Sequence, residues 1–381
     1  MVQNGHNALV KMCQLQPNGD GRTRQTVANT RKAATARFSN IHSAPKLSRQ
    51  KHKEPKLDSE ESLPKINPSV GGLCGLENIG NTCFMNSALQ CLANITAMTQ
   101  HFDNLFSDSP DDQTVSYAYA HLIKLMWSGE NSSVTPRELK HRVNRSAPIF
   151  SDNGQQDSQE FINSLLDALH KELKDDSNES IVTQLFSIKT RSTVTCSHCF
   201  MPDPNDQSSN FLPLPLPPSS FMSGKHAKQL TLEYLLDDFF KEADLDGDYY
   251  CAMCNQITVA KQKSDLCSPM PQVFVIQLKR FTYNNSNDKI DTFIEFPFNN
   301  LDLGRYAIAQ PSDDSLYDLI AISNHQGSLS SGHYTATARK VNDKWFSFND
   351  QYFEEISSNI NRRQIVTNNA YVLVYSKQRN R

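Results

Sequence analysis

The order in which local patterns follow one another constrains the fold of this 381-residue chain most strongly. Helical periodicity dominates the region from about 85 to 175, where Phe161, Leu165 and Leu169 recur at four-residue steps after Asp157. β-Branched and aromatic runs follow later, at 273–278, 319–322, 334–338, 345–348 and 371–375. The links between these runs look too short to hold crossover helices. The pattern therefore predicts an α+β fold with a largely antiparallel sheet.

Residues 1–70 differ from the rest of the chain in charge and patterning. They carry 12 Lys and Arg against 5 Asp and Glu, a balance of +7, which leaves 26 basic and 36 acidic residues, or −10, for residues 71–381. With Phe38 as its only aromatic residue, the segment cannot offset its ordering entropy and is predicted to be disordered. Its basic clusters are typical of an import signal, an acidic-partner contact or a transit sequence, and a solubilising tail is the simpler interpretation.

Composition limits the compartments in which the protein could act and the roles that its cysteines could have. No stretch approaches the roughly 18 apolar residues that a bilayer span needs, and the N-terminus has no apolar signal region. Nine Cys without an export signal favour reduced thiols over a disulfide framework. We therefore expect an intracellular protein of the cytoplasm or nucleus, with no membrane contact and with cysteines free for catalysis or metal binding.

Cys83 lies at a predicted helix start. Asn81 and Thr82 are N-cap residue types, and apolar residues at helical spacing follow them. The N–H groups and macrodipole at a helix start favour a thiolate over a thiol, which suits a nucleophile. An inert packing role is the commoner fate of a cysteine taken at random.

A thiol nucleophile needs a base and a group that orients the base. His333 enters a predicted strand directly after Gly332, and small residues there leave room for a substrate. A later strand ends in Asn349 and Asp350, and either side chain can hold an imidazole in the required tautomer. Local sequence alone leaves open which of the two does so.

Two Cys-x-x-Cys pairs predict a metal site. Cys196 and Cys199 form one pair, and Cys251 and Cys254 form the other, with 51 residues between the pairs. Four thiolates suit one tetrahedral Zn²⁺, and because all four positions are protein ligands the ion would be structural. A thioredoxin-like redox role fits poorly, since neither pair follows a strand and opens a helix.

Several longer segments together resemble the ubiquitin-specific protease family of deubiquitinases. The resemblance runs through residues 73–376 and is carried by GLENIGNTCFMNSALQCL at 75–92, NGQQDSQEFINSLL at 153–166, VFVIQLKRF at 273–281, and SGHYTA and WFSFND within 331–350. It implies a papain-like catalytic domain at 71–381, with a helical thumb at about 71–180, fingers at about 181–265 and an antiparallel palm at about 266–381. The zinc site would lie at the tip of the fingers.

The resemblance also implies roles for single residues. Cys83 would attack the terminal glycine carbonyl of ubiquitin, His333 would be general base and then acid, and Asn349 would orient His333, with Asp350 as the competitor for that role. Asn78 matches the amide of the family's oxyanion hole.

Four further residues would contact the C-terminal tail of ubiquitin. Gln156 and Asp157 precede the second predicted helix, while Gly332 and Tyr334 would line a narrow passage for the two tail glycines. An ordinary helix cap is the alternative interpretation of Asp157.

The sequence thus predicts a thiol-dependent enzyme that hydrolyses isopeptide bonds between ubiquitin and its targets, with no catalytic cofactor. Two alternatives belong to the same family, namely a non-catalytic ubiquitin-binding scaffold and a protease for another modifier that ends in Gly-Gly. A zinc-stabilised nucleic-acid binder is a third, which the charge of −10 on residues 71–381 disfavours.

Overall fold

Helices come first and strands later in the part of the chain that the structure describes. The computed structural model describes residues 71–105, 113–217, 230–281, 289–308, 315–328, 331–340, 343–357 and 364–378. Residues 1–70, and with them the predicted disordered extension, lie outside these ranges. No helix within them is both long enough and apolar enough to cross a bilayer.

Seven α-helices occur in the described residues, most of them before residue 190. They are α1 (Cys83–Ala93), α2 (Thr96–Leu105), α3 (Val115–Trp127), α4 (Arg137–Ser146), α5 (Ser158–Leu173), α6 (Ile181–Phe186) and α7 (Leu232–Phe240). The two predicted helices near Cys83 and after Asp157 are therefore confirmed as α1 and α5. Every residue of α1 is buried, so α1 is a central helix covered on all sides.

The strands run from β1 to β16 and form two larger sheets and two small ones. They are β1 (Gly75–Leu76), β2 (Ser133–Val134), β3 (Ile188–Cys196), β4 (Pro202–Ser209), β5 (Leu212–Pro215), β6 (Ala243–Asp244), β7 (Tyr249–Cys251), β8 (Gln256–Thr258), β9 (Ala260–Leu266), β10 (Val273–Lys279), β11 (Leu301–Asp302), β12 (Leu316–Gly327), β13 (Gly332–Arg339), β14 (Trp345–Asn349), β15 (Tyr352–Ile356) and β16 (Ala370–Lys377). All five predicted strand runs are confirmed, as β10, β12, β13, β14 and β16.

The largest sheet has the order β15-β14-β13-β12-β16-β10-β5, with β11 paired to β12. Its pairs are antiparallel except β10 with β5, which are parallel. A second sheet, β4-β3-β9-β6, is antiparallel throughout, and the hairpin β7-β8 lies next to it in sequence. The predicted α+β fold with a largely antiparallel sheet is thus confirmed.

One apolar core joins the helices to the large sheet. It includes α1, α3 and α5 together with alternate residues of the sheet, among them Ala321, Tyr334, Ala336 and Val372. A buried polar contact fixes the same junction: the Ser323 hydroxyl on β12 lies 2.5 Å from Ser87 Oγ on α1 and 3.0 Å from Ser158 Oγ on α5. The second turn of α1 and the start of α5 are therefore held against β12.

Candidate active site

The loop before α1 is organised by Asn78. Its Oδ1 accepts hydrogen bonds from the backbone N–H of Gly80 (3.2 Å) and of Thr82 (3.1 Å). Thr82 occupies the N-cap position, but its side chain makes no capping hydrogen bond; its hydroxyl instead accepts from the Ile79 N–H at 3.0 Å. The predicted helix start at Cys83 with Thr82 as N-cap residue is therefore confirmed, while the Thr82 hydroxyl is used within the loop.

Cys83 is buried at the first turn of α1, and burial decides its protonation. Desolvation raises the pKa of the thiol above its ordinary value of 9.0, and the Asp350 carboxylate adds to the rise. Hydrogen bonds from the backbone of Tyr334, of Phe84 and of Cys83 itself lower the pKa but do not outweigh burial. The N–H groups at the helix start thus favour the thiolate, as expected, but burial outweighs them. The Tyr334 contact also shows that the thiol lies against β13, beside His333.

His333 is exposed and pairs with Asn349. The imidazole Nε2 lies 2.7 Å from Asn349 Oδ1, and because that oxygen can only accept, Nε2 carries the proton. The lone pair on Nδ1 is then available to act as a base. Among the described hydrogen bonds, none joins the imidazole to the Cys83 thiol, so the two groups must approach further for proton transfer.

Asp350 has a different partner set from Asn349. Its Oδ2 accepts from Asn78 Nδ2 at 2.9 Å, and its Oδ1 accepts from Asn86 Nδ2 at 2.8 Å. The structure thus gives the two neighbouring residues different contacts. Asn349 contacts the imidazole, and Asp350 holds the Asn78 amide that was predicted to bind an oxyanion.

Sequence reasoning missed Asn86. This side chain is buried, and it donates to the carbonyls of Leu76 (3.1 Å) and Glu77 (3.2 Å) as well as to Asp350. It therefore ties α1 to the strand that precedes Asn78. A signal was present, since an amide three residues after Cys83 lies on the same face of the helix within an otherwise apolar run.

The loop before α5 faces β13 through Gln155, which was also missed. Gln155 Oε1 accepts from the Gly332 N–H at 3.0 Å, whereas Gln156 Nε2 donates to Asp152 Oδ1 (2.9 Å) and to the Ile149 carbonyl (3.1 Å). Gln156 thus shapes its own loop, and Gln155 makes the contact with the predicted passage residue Gly332.

Asp157 acts as the N-cap of α5. Its Oδ1 accepts from the N–H groups of Gln159 (2.7 Å) and Glu160 (3.1 Å), and its Oδ2 accepts from the Tyr371 hydroxyl. Burial raises the pKa of Asp157, while these hydrogen bonds lower it. The helix-cap interpretation is therefore confirmed, and contact with a substrate tail would use the remaining lone pairs of the same carboxylate.

The four predicted metal ligands lie together at the end of the β3–β9 sheet. Their sulfur atoms are all within 4.8 Å of one another, with 3.9 Å between Cys196 and Cys254 and 3.6 Å between Cys199 and Cys251. A tetrahedral ion with Zn–S distances of about 2.3 Å would place its ligands about 3.8 Å apart. The donor set and spacing fit one tetrahedral metal ion with no open position.

The family model described as ubiquitin carboxyl-terminal hydrolase matches residues 74–375. The chain is 34% identical over 352 residues to ubiquitin carboxyl-terminal hydrolase 2 of Gallus gallus, covering 82% of this chain and 95% of that protein. It is 34% identical over 341 residues to ubiquitin carboxyl-terminal hydrolase Usp2 of Drosophila melanogaster, covering 80% of this chain and 35% of that protein. For ubiquitin carboxyl-terminal hydrolase 2 of Homo sapiens, the identity is 33% over 351 residues, with 81% and 55% covered. The chain therefore spans only about a third to a half of the length of several curated relatives.

Solved structures agree with this comparison. A SAGA DUB module that contains Ubp8, Sgf11, Sus1 and Sgf73, bound to monoubiquitin, matches with a TM-score of 0.68 and 28% identity, covering 83% of this chain and 71% of that chain. A second structure of the module, bound to ubiquitin aldehyde, matches with a TM-score of 0.67, 27% identity and coverage of 82% and 71%. The resemblance carried by the five quoted sequence segments is thus confirmed, and the chain belongs to the ubiquitin carboxyl-terminal hydrolases, as a ubiquitin-specific protease.

Proposed function

We propose that this protein is a thiol-dependent deubiquitinase that hydrolyses isopeptide bonds at the C-terminal glycine of ubiquitin. The observation that carries the proposal is the arrangement at β13, where His333 is held by Asn349 and the next residue, Tyr334, contacts the Cys83 thiol through its backbone. A nucleophile, a base in the correct tautomer and an orienting amide therefore meet at one end of α1.

In the proposed reaction, the Cys83 proton passes to His333 Nδ1 as Sγ attacks the glycine carbonyl. The oxyanion accepts from the backbone N–H of Cys83 and from Asn78 Nδ2, whose second hydrogen is not needed by Asp350. His333 then protonates the departing lysine amine, which leaves a thioester on Cys83. Water, deprotonated by His333, hydrolyses the thioester and releases the ubiquitin carboxylate.

The metal has a structural role in this proposal. Cys196, Cys199, Cys251 and Cys254 would hold one Zn²⁺, which joins the turn after β3 to the β7–β8 hairpin. Bound there, the ion would link the four cysteine side chains to one another and would take no part in catalysis. Catalysis comes from the protein's own side chains.

Covalent capture tests the proposal directly. Ubiquitin that carries a C-terminal electrophile is expected to add once to the wild-type protein, on Cys83, and the adduct is read by intact mass and peptide mapping. The Cys83→Ala variant should give no adduct and should still bind ubiquitin. Cys267→Ser is the matched control, since Cys267 lies outside the site and its replacement should leave capture unchanged.

Each other outcome of this experiment points to a definite alternative. Binding of ubiquitin without capture would favour a non-catalytic scaffold. Capture by a different Gly-Gly modifier alone would keep the chemistry and change the substrate. An adduct on the Cys83→Ala variant would refute the assigned nucleophile.

Asn349 and Asp350 should respond differently to the same exchange of amide and acid. Asn349→Asp keeps an acceptor for Nε2–H and should retain kcat within about 10-fold. Asp350→Asn would place an amide N–H against the Asn78 or Asn86 donor and should lower kcat about 10²-fold, the loss typical of a misplaced oxyanion donor. Steady-state hydrolysis of a fluorogenic ubiquitin C-terminal amide measures both variants. The reverse order of effects would contradict the division of roles.

Two further proposals concern the partner of residues 1–70 and the compartment in which the protein acts. We propose that the basic extension at 1–70 meets an acidic or import partner, supported by its charge of +7, and that the protein acts in the cytoplasm or nucleus.

A further inference from the structure

A buried histidine supports the strand that carries the proposed base. β12 and β13 pair so that His325 lies opposite Tyr334, with Gly332 diagonal to it. Because alternate residues of a strand share a face, Gly332 and Tyr334 both point to the side that His325 occupies. His325 is 2% exposed, and it lies between the two neighbours of His333.

Contact with this imidazole explains why residue 332 is glycine. A Cβ added to Gly332 would overlap His325 Nε2, and it would lie 2.7 Å from Cε1 and 2.9 Å from the Gln326 carbonyl. The φ angle of Gly332 is not in the left-handed region, so backbone conformation does not require glycine there. The His325 ring therefore sets how closely the Gly332 backbone approaches β12.

The ring is held firmly on its other sides. Its centroid lies 4.5 Å from that of Tyr334 and 5.2 Å from that of Phe281. The backbone of His325 is also fixed, since its N–H donates to the Asn369 carbonyl (2.7 Å) and its carbonyl accepts from Lys289 Nζ (2.7 Å). The backbone N–H, the backbone carbonyl and the ring of His325 thus all have defined neighbours.

His325 is uncharged at neutral pH. Burial lowers its pKa to about 4, and the nearby Lys289 ammonium and His333 contribute to the same direction. Among the described residues its buried Nδ1 has no hydrogen-bond partner, and a buried polar atom without one costs free energy. A packing role alone would be filled at less cost by an apolar residue.

We propose that His325 is a positioning residue for His333, acting through Gly332 and Tyr334. The imidazole fixes the distance of Gly332 and Tyr334 from β12. It thereby holds His333 within reach of Asn349 on one side and of Cys83 on the other. The N–H of Gly332 also donates to Gln155 in the loop before α5. The inference rests on the proposed deubiquitinase function, and it assigns no contact between His325 and the substrate.

The test is a double-mutant cycle on the full chain with His325→Ala, Gly332→Ala and the double variant. His325→Ala should lower kcat on the fluorogenic ubiquitin amide about 10- to 100-fold, because sub-ångström misplacement of a catalytic group has effects of that size. Gly332→Ala alone should cost more, since its methyl group overlaps the ring. In the double variant the methyl fills part of the vacated space, so the losses should be strongly less than multiplicative.

A binding measurement separates positioning from general damage. In the Cys83→Ala background, His325→Ala should keep the Kd for ubiquitin within about 3-fold, because the lost interaction bears on the chemical step. His325→Gln is the second variant if alanine lowers the yield of folded protein. His121→Ala, on α3 and outside the site, is the matched control and should leave kcat unchanged.

The outcomes distinguish this inference from the proposed function. An unchanged kcat in His325→Ala, multiplicative losses in the cycle, or a weakening of Kd equal to the loss in kcat would each overturn the positioning role while wild-type turnover upholds the enzyme. Absence of turnover and of capture by the wild type would overturn the proposed function, and the positioning role with it. The thermal unfolding midpoint would still report the contact, since Gly332→Ala should lower it clearly more in wild type than in His325→Ala, where only the contact with the Gln326 carbonyl remains.

Discussion

Replacing His333 with glutamine is expected to lower kcat/KM for a ubiquitin C-terminal amide by about 10⁴-fold, the size of effect seen when a catalytic base is removed. The reason lies in the protonation of Cys83. Burial raises the pKa of this thiol above 9.0, so only a small fraction is thiolate near neutral pH. The start of α1 does not overcome that burial, and proton transfer to a base therefore becomes necessary.

The residual activity of His333→Gln should depend steeply on pH. Without the base, the rate follows the thiolate concentration, which rises about tenfold per pH unit below the pKa of the thiol. Since that pKa is raised, the increase should continue past pH 9. Wild type, in which His333 takes the proton within the complex, should vary much less over the same interval.

A profile of kcat/KM from pH 6 to 10 checks this prediction. His121→Gln is the matched control, because His121 lies on α3, where it pairs with Glu138 of α4, and is not one of the predicted site residues. A profile for His333→Gln that is flat with pH, or as active as wild type, would show that another group deprotonates Cys83. The ubiquitin Kd of a His333→Gln, Cys83→Ala double variant should equal that of Cys83→Ala alone.

Local patterns predicted the elements of this fold because the elements are local. The apolar spacing after Asp157 is a property of 16 consecutive residues, and α5 follows it from Ser158 to Leu173. The strand runs from 273 onward could likewise be recognised from a few consecutive residues each. Their short connections favour a mainly antiparallel sheet.

The site was predicted less completely, because its contacts join distant parts of the chain. Asn86 and Asp350 are 264 residues apart, and Gln155 and Gly332 are 177 apart. No periodicity links such pairs. The resemblance supplied Cys83, His333 and Asn349 as single positions, but only the folded chain shows that Asp350 holds Asn78 and that Gln155, not Gln156, reaches Gly332.

The net direction of the thiol's pKa shift could not be predicted from the sequence for a related reason. A helix start can be recognised from a few residues, whereas burial depends on everything that packs around it. Cys83 is 4% exposed because α1 is surrounded by other helices and by β13. Desolvation is then the largest influence on its pKa, the backbone of Tyr334 comes second, and the N–H groups of Phe84 and Cys83 at the helix start contribute less than either.

Removing the metal should unfold the end of the β4-β3-β9-β6 sheet near the four cysteines and spare helices α1–α6 and the large sheet. The segment around the four cysteines has little apolar burial of its own, since Phe200, Met253, Ile257 and Val259 are between 63% and 77% exposed. Four sulfur atoms within 4.8 Å would also repel one another as thiolates without a cation. The bound ion is therefore expected to supply most of the local folding free energy.

Cys251→Ser tests this expectation against Cys267→Ser, which replaces a cysteine outside the cluster. Elemental analysis should find about one zinc per chain in wild type and in the control, and a stoichiometric loss in Cys251→Ser. Limited proteolysis should then cut between residues 196 and 260 at least about tenfold faster, because local opening exposes the chain there. The core that holds Cys83, His333 and Asn349 belongs to the helices and the large sheet, so kcat should stay within a few-fold of wild type while KM rises. Equal protease resistance with the metal absent would show that the β3–β9 pairing alone holds residues 196–260, and loss of kcat would show that the metal also supports the active site.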